Sequence, residues 1–363
     1  MFTERTSVGL DVHARSVTAA AIDGVTGELF KAKLTPCYAQ IRSWLGGLPG
    51  PVAVAYEAGP TGFGLYRQLD AAGIRCQVAA PSKLQRPSGE RVKTDARDAL
   101  QLARLLQVDQ ITAVAIPTEE QEAARDLVRA REAARADLMR GRHRLSKLLL
   151  RHGLVYDGGE AWTGKHDLWL RRDARPQLTW AATRAAFDSD YDAALMLKAR
   201  RDRLDAEIQA LAADSEYLAL VRRLGCLRGI STLTGFALAV ELGDWHRFTG
   251  RTIASFVGLV PSEHSSGTSR AQGQITKTGN RHVRRLLVEA AWHHRTHYRP
   301  GKALRARWAL APAQARARGD LGNRRLHQRW VDYTTRRKLS TVTDVAVARE
   351  LAGWCWSLAV MDT

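Results

Sequence analysis

From Thr118 to His152 the chain runs without a proline and with a single glycine, Gly141. Leu127, Ala130, Ala134, Leu138, Leu145 and Leu148 recur through this run with Arg and Glu between them, the pattern of an amphipathic helix. At 1.5 Å rise per residue such a helix is about 50 Å long. A second run, 193–223, places Leu197, Leu204, Ile208, Leu211, Ser215 and Leu218 on one stripe. The two are expected to pair as an antiparallel arm, or with partner subunits as a coiled coil. Residues 153–192, with Gly158-Gly159 and Trp162, Trp169 and Trp180, form the expected helical tip. The arm, 118–223, thus separates an N-terminal domain, 1–117, from a C-terminal one, 224–363.

The N-terminal domain reads as an α/β sheet. RTSVGLDVHARSVTAAAID, residues 5–23, alternates like a strand, a tight turn and a second strand, and GELFKAKLT follows as a third. PVAVAYEAG is a buried strand ending in Glu57, TGFGLYRQLDAAG a helix closed by Gly73, and IRCQVAA another strand. The run TDARDALQLARLLQ carries Leu100, Ala103 and Leu106 at helical spacing, with Thr94 as its N-cap. In the last domain, 224–258 reads as a short helix, a Gly-rich turn, a second helix and a capped third. Hairpins of this kind put turn amides against a phosphate backbone. A Ser/Gly-rich loop, a helix with basic residues on one side, an arginine-dense stretch over 300–340 with Trp308 and Trp330, and a final apolar helix complete the chain.

Charge narrows the function. Fifty-five Lys and Arg against thirty-seven Asp and Glu give +18 and a pI near 10.3, which points to a polyanionic partner. Residues 225–363 alone hold 22 basic and 9 acidic side chains, most of the cations being arginines, whose planar forks grip phosphate. No window is long and apolar enough for a membrane span, and the N-terminus lacks the apolar core of a signal peptide, so a cytoplasmic, nucleoid-associated protein is expected. Cys37, Cys76, Cys226 and Cys355 lie far apart without a C-x-x-C pair and are expected to be buried thiols.

Four carboxylates carry the chemical argument. Asp11 interrupts an apolar strand, Glu57 ends a later one, and Asp95 and Asp98 stand three apart on one helix face. Acids suit such strands poorly unless something pairs with them. Two magnesium ions would serve, activating an attacking oxygen and stabilising a leaving one in phosphoryl transfer. A serine flanked by glycine in the loop Ser262-Glu263-His264-Ser265-Ser266-Gly267 can present a nucleophilic hydroxyl, given a metal or base to activate it. His293 and His297, four apart on a helix, favour phosphate contact or packing over zinc. Gly59, Gly62 and Gly64 have the wrong spacing for a dinucleotide fingerprint and read as helix-entry turns.

Taken in order, GLDVH at 9–13, YEAGPTG at 56–62, VKTDARDA at 92–99, Gly229 to Asp244, GLVPSEHSSG at 258–267 and ITKTGNRHVRRLLVEAAW at 275–292 resemble the DEDD transposases of the IS one-ten insertion-sequence family. The resemblance spans most of the chain. It implies a RuvC-like, RNase H-fold first domain, a coiled-coil arm, and a mainly α-helical transposase domain with a helix-hairpin-helix-like segment. It further implies that Asp11, Glu57, Asp95 and Asp98 bind Mg²⁺ and that Ser266 is the nucleophile, with Ser265 beside it. The implied activity is RNA-guided, site-specific DNA recombination through a phosphoserine link and a Holliday junction. The partners would be donor and target double-stranded DNA, a structured bridge RNA, and further copies of the chain as a dimer or tetramer, with the carboxylates and the serine of a site coming from different protomers. Two other readings stay open: a hydrolytic RNase H-like nuclease or junction resolvase using water, and a non-enzymatic nucleic-acid scaffold.

Overall fold

The computed structural model describes residues 4–84, 94–266 and 269–361. The chain divides into two compact units, 1–117 and 118–363.

The first unit is built on a five-stranded sheet. Its strands are β1 (Thr6–Val12), β2 (Val17–Asp23), β3 (Leu29–Leu34), β4 (Val52–Glu57) and β5 (Arg75–Ala79), in the order β3-β2-β1-β4-β5. The first three form an antiparallel meander, while β4 and β5 run parallel to β1. Helices α1 (Tyr38–Gly46) and α2 (Gly64–Ala71) bury Ile41, Leu45, Leu65 and Leu69 against Val8, Leu10, Val17 and Tyr56. Helix α3 (Asp95–Gln107) packs on β1, β2 and β4, with Leu106 against Ala53 and Ala55 of β4. That second face is paved with small residues, and Gly9 is decisive: a Cβ there would lie 2.0 Å from the carbonyl oxygen of Ala99 and 2.6 Å from the Ala103 nitrogen. Only glycine lets the helix backbone come this close to β1. On β1 and β4 the alternation is therefore large residues toward α1 and α2, small ones toward α3.

In the second unit, α4 (Glu119–Arg151) starts at Thr118, whose hydroxyl accepts from the Gln121 amide at 3.1 Å. Glu119, Glu120 and Glu122 fill its first turn, where acids meet the positive end of the helix dipole. Two short helices, α5 (Gly164–Trp169) and α6 (Arg175–Gln177), flank a π-turn over Leu170–Ala174. Helix α7 (Ala181–Ala213) then returns along α4. Ion pairs between Arg131 and Asp205 at 2.6 Å and Arg144 and Asp190 at 3.4 Å establish that the two run antiparallel. Gly141 faces Leu197, whose Cδ1 would stand 3.3 Å from an added Cβ.

The returning helix departs from the sequence reading. It begins twelve residues before 193 and ends at Ala213, so Ser215 and Leu218 do not continue its stripe. Its buried residues are Phe187, Ala194, Ile208 and Ala212, and Leu211 is exposed. Of the expected stripe Ile208 is buried and Leu197 packs against Gly141, while Ala194 and Ala212 take inner positions outside that stripe. The tip is correspondingly shorter, with Leu170, Leu178 and Phe187 packed on Leu145, Leu148 and Leu149.

The remaining helices are α8 (Leu218–Leu224), α9 (Thr232–Leu242), α10 (Thr252–Phe256), α11 (Arg281–Ala291), α12 (Lys302–Ala309), α13 (Ala313–Thr335) and α14 (Ser340–Ala359). They share one core containing Phe236, Leu238, Val240, Ile253, Leu287, Leu326, Val347, Leu351 and Cys355. The expected cap on α10 comes from Thr249, whose Oγ1 accepts from the Thr252 amide at 3.2 Å while Thr252 Oγ1 accepts from the Thr249 amide at 2.8 Å. The Ser/Gly-rich loop is instead a hairpin of β6 (Pro261–Ser266) and β7 (Ser269–Ile275). Its strands PSEHSS and SRAQGQI carry almost no apolar residues, so no alternation marks them. The cysteines also split. Cys226 and Cys355 are buried, but Cys37 is exposed and Cys76 half-buried, since Cys37 precedes α1 at the surface instead of lying on a core face.

Candidate active site

The parallel register brings the first two carboxylates together. Leu10 pairs with Tyr56, so Asp11 and Glu57 follow as neighbours at the C-terminal ends of adjacent strands. Side chains alternate along a strand; Asp11 therefore shares the face of Gly9, and Glu57 that of Ala55, the face covered by α3. The N-terminus of α3 opens there. Thr94 caps it by accepting from the Arg97 amide, and Asp95 and Asp98 occupy its first turn. The close approach at Gly9 thus aims a helix N-terminus bearing two acids at the ends of β1 and β4.

The structure adds a residue that the sequence reading did not single out. His13 Nε2 stands 3.2 Å from Asp11 Oδ2 and 3.9 Å from Asp95 Oδ1. Asp11, His13 and Asp95 each bring a ligand atom within 4.8 Å of the other two, a spacing that admits a divalent cation. His13 belongs to the quoted GLDVH run, two positions beyond Asp11; its period-two spacing was the available signal. Burial lifts the Asp11 carboxyl above its ordinary range, His13 opposes that, and Asp95 and Asp98 add to it. An acid crowded by two others and half-withdrawn from water is stabilised in its charged form by a cation. The set is mixed, with oxygen donors for a hard ion and one imidazole.

Ser265 and Ser266 belong to the second unit. Both are exposed at the end of β6, where Ser266 pairs with Ser269 and Ser265 with Arg270. Adjacent residues of a strand face opposite sides, so the two hydroxyls point apart. Gly267 lies outside the described residues. The base of the hairpin is fastened: the amides of Thr276 and Lys277 donate to the carbonyls of Val260 at 2.9 Å and Gly258 at 3.1 Å. Arg284 Nη1 donates to the carbonyls of Val257 and Thr278 at 2.9 and 2.7 Å.

Behind this base lies a buried charge. The Glu241 side chain accepts from Arg129 Nε at 3.0 Å and Nη2 at 2.9 Å and from Asn280 Nδ2 at 2.8 Å, with His282 Nδ1 at 3.4 Å. Burial alone would raise this carboxyl, but His282, Arg129 and Asn280 hold it down at about 2. Asn280 in turn caps α11, its Oδ1 accepting from the His282 and Val283 amides. The histidine pair proposed for phosphate contact or packing is not on one helix: α11 ends at Ala291, His293 lies in a 3₁₀ turn over Trp292–His294, and His297 follows beyond that turn.

Comparison with known proteins supplies the family. Residues 8–153 match the model of the DEDD transposases of the IS110 type, and residues 221–309 match that of the transposase IS116/IS110/IS902 family. A putative transposase y4qE of Sinorhizobium fredii is 36% identical over 358 residues, covering 97% of this chain and 88% of that protein. The chain belongs to the IS110 transposase family. The transposase for insertion sequence element IS1533 of Leptospira borgpetersenii is 31% identical over 342 residues, with 91% of this transposase and 97% of that one covered. A probable family 20 transposase of Pseudomonas aeruginosa is 28% identical over 332 residues, covering 90% and 88%. The DEDD match contains all four candidate carboxylates of this transposase and Arg129, whereas the match over 221–309 contains both serines with Glu241, Asn280 and His282. Among the described residues no helix is long and apolar enough to cross a membrane.

Proposed function

We propose that this insertion-sequence transposase is a site-specific DNA recombinase whose targets are chosen by a structured RNA, with Asp11, Glu57, Asp95 and Asp98 holding Mg²⁺ and Ser266 as nucleophile. The observation that carries the reading is the gathering of Asp11 and Asp95 with His13 beneath the N-terminus of α3, in a chain of this family. Divalent cations held there would supply positive charge to the scissile phosphate and its leaving oxygen. Ser266 Oγ forms a bond to phosphorus while the bond from phosphorus to the leaving deoxyribose oxygen breaks; the serine proton is lost and the leaving oxygen gains one. The carboxylates of one protomer serve the serine of another, inside a dimer or tetramer that pairs donor and target, and strand exchange passes through a Holliday junction. Turn amides and cations around α8 and α9 grip the DNA backbone in the manner of a helix-hairpin-helix.

The test is strand transfer between a donor and a target plasmid by the full chain, with and without RNA transcribed from DNA flanking the gene. Transfer is expected only with Mg²⁺ and that RNA. Ser266→Ala and Asp11→Asn are both expected to abolish it while retaining DNA binding, and Ser265→Ala to leave it. Transfer by Ser266→Ala would refute the covalent step, and transfer without RNA would refute guidance.

A further inference from the structure

We infer that a groove in the second unit, walled by α10, β7, α13 and α14, binds a single strand of DNA beside the serine hairpin. It encloses about 1430 Å³, more than the roughly 300–1,000 Å³ of small-molecule sites. Arg251, Lys277, Arg318, Arg329 and Arg349 line it against one carboxylate, Glu350. That acid is already engaged: its Oε1 accepts from Arg325 Nε at 2.9 Å, and its Oε2 lies 3.5 Å from Arg329 Nε. The surplus of positive charge in a concave surface selects a polyanion.

The arginines are also prearranged. The Arg318 guanidinium sits 4.5 Å from the Trp354 ring centroid, its Nε donating to Ser357 Oγ at 3.1 Å. Arg329 lies 4.8 Å from the Tyr333 ring. Forks held against rings lose little freedom on gripping phosphate, and guanidinium planes and aromatic faces are the surfaces on which unpaired bases stack. A duplex, its bases already stacked, would make no use of them. Apolar side chains Leu259, Ile275, Val342 and Val345 complete the lining, as sugars and base faces require. One wall is β7, the partner of the strand carrying Ser265 and Ser266, so a strand opened at the hairpin has a path along it. Helices α13 and α14 lie beyond residue 309, outside both matched family segments.

The choice of DNA rests on the proposed strand-cleaving role, and the experiment separates the two. The full chain is mixed with a fluorescent oligothymidylate of about 12 nucleotides, within the length that single-strand sites cover, carrying bromodeoxyuridine for photo-crosslinking. Cross-links are expected on peptides from 269–277 or 313–359. The pair Arg251→Glu, Arg349→Glu is expected to weaken binding about tenfold and to flatten its salt dependence; should that pair fold poorly by its melting temperature, Arg251→Gln, Arg349→Gln gives the same direction. Ser266→Ala is expected to bind the oligonucleotide like the unaltered chain while losing strand transfer, so a failure of the nucleophile assignment is read on a different channel. Cross-links confined to other segments, unchanged affinity in the folded double variant, or displacement by oligouridylate but not by unlabelled oligothymidylate would each overturn the inference.

Discussion

Gly9 does for the carboxylate cluster what no side chain could. A methyl group there would meet the Ala99 carbonyl oxygen at 2.0 Å, and α3 would have to move away from β1, taking Asp95 and Asp98 with it. Gly9→Ala is therefore expected to lower stability by about 2–4 kcal/mol in urea unfolding, in the range of core overpacking and strain, and to weaken metal binding in what remains folded. His13 has the complementary role. It sits against Asp11 and Asp95 with half its side chain exposed, so its loss should leave the fold intact. His13→Ala is expected to raise the Mg²⁺ or Mn²⁺ concentration needed for half-maximal strand transfer by about 10-fold, the scale of a lost ligand or its orienting partner, with the melting temperature unchanged. An unchanged metal requirement would remove His13 from the site.

At the scale of elements, two buried acids give opposite pH signatures. Glu241 joins α4, α9 and α11 through Arg129, Asn280 and His282, and its carboxyl is held at about 2 against an ordinary 4.5. Its stabilisation is complete above about 4.5 and fades as pH falls toward 2. Glu241→Gln should cost about 1–3 kcal/mol at neutral pH and remove that acid sensitivity, both read from urea melts over a pH series. Asp344, on α14, is buried with Oδ1 lacking a hydrogen-bond partner among the described residues, and burial pushes its carboxyl up to about 7. The neutral form is the one the fold favours, so its contribution is complete below the ordinary 3.8 and is lost as pH rises through about 7. Asp344→Asn should abolish a fall in stability that the unaltered chain shows between about pH 4 and pH 7, read from the same urea melts. Most of the first unit was legible because its strands alternate cleanly and Gly24, Gly27 and Gly73 punctuate them; the meander, the Glu57 strand and the Thr94 cap all follow from local rules. The serine hairpin was not, because PSEHSS and SRAQGQI present no apolar face to read. Part of the inner face of α7 escaped for a different reason: Ile208 of the expected stripe is buried, but Leu211 is exposed and Ala212 turns inward instead, and the rotation of α7 against its neighbours is a tertiary fact. His13 escaped because its partner Asp95 is 82 positions away.

At the scale of the whole molecule, 22 basic against 9 acidic side chains over 225–363 place most of the net positive charge in the C-terminal part of the second unit. Binding of duplex DNA should weaken steeply with salt, log K falling by about 0.9 per phosphate neutralised on a log-salt axis. The Arg251, Arg349 double variant should leave that duplex slope largely intact if its groove holds single strands, a comparison made in one titration series. The division of labour between the units also bears on how such a protein is made. The acids precede residue 117 and the hydroxyls follow residue 260. As chains emerge from the ribosome, the first unit can fold while the rest is still being translated. A truncated or stalled product then carries ligands for a metal but, under the proposed chemistry, nothing with which to tether a broken end. If that chemistry holds, a chain still on the ribosome can tether a broken strand only after translation has passed the serine hairpin.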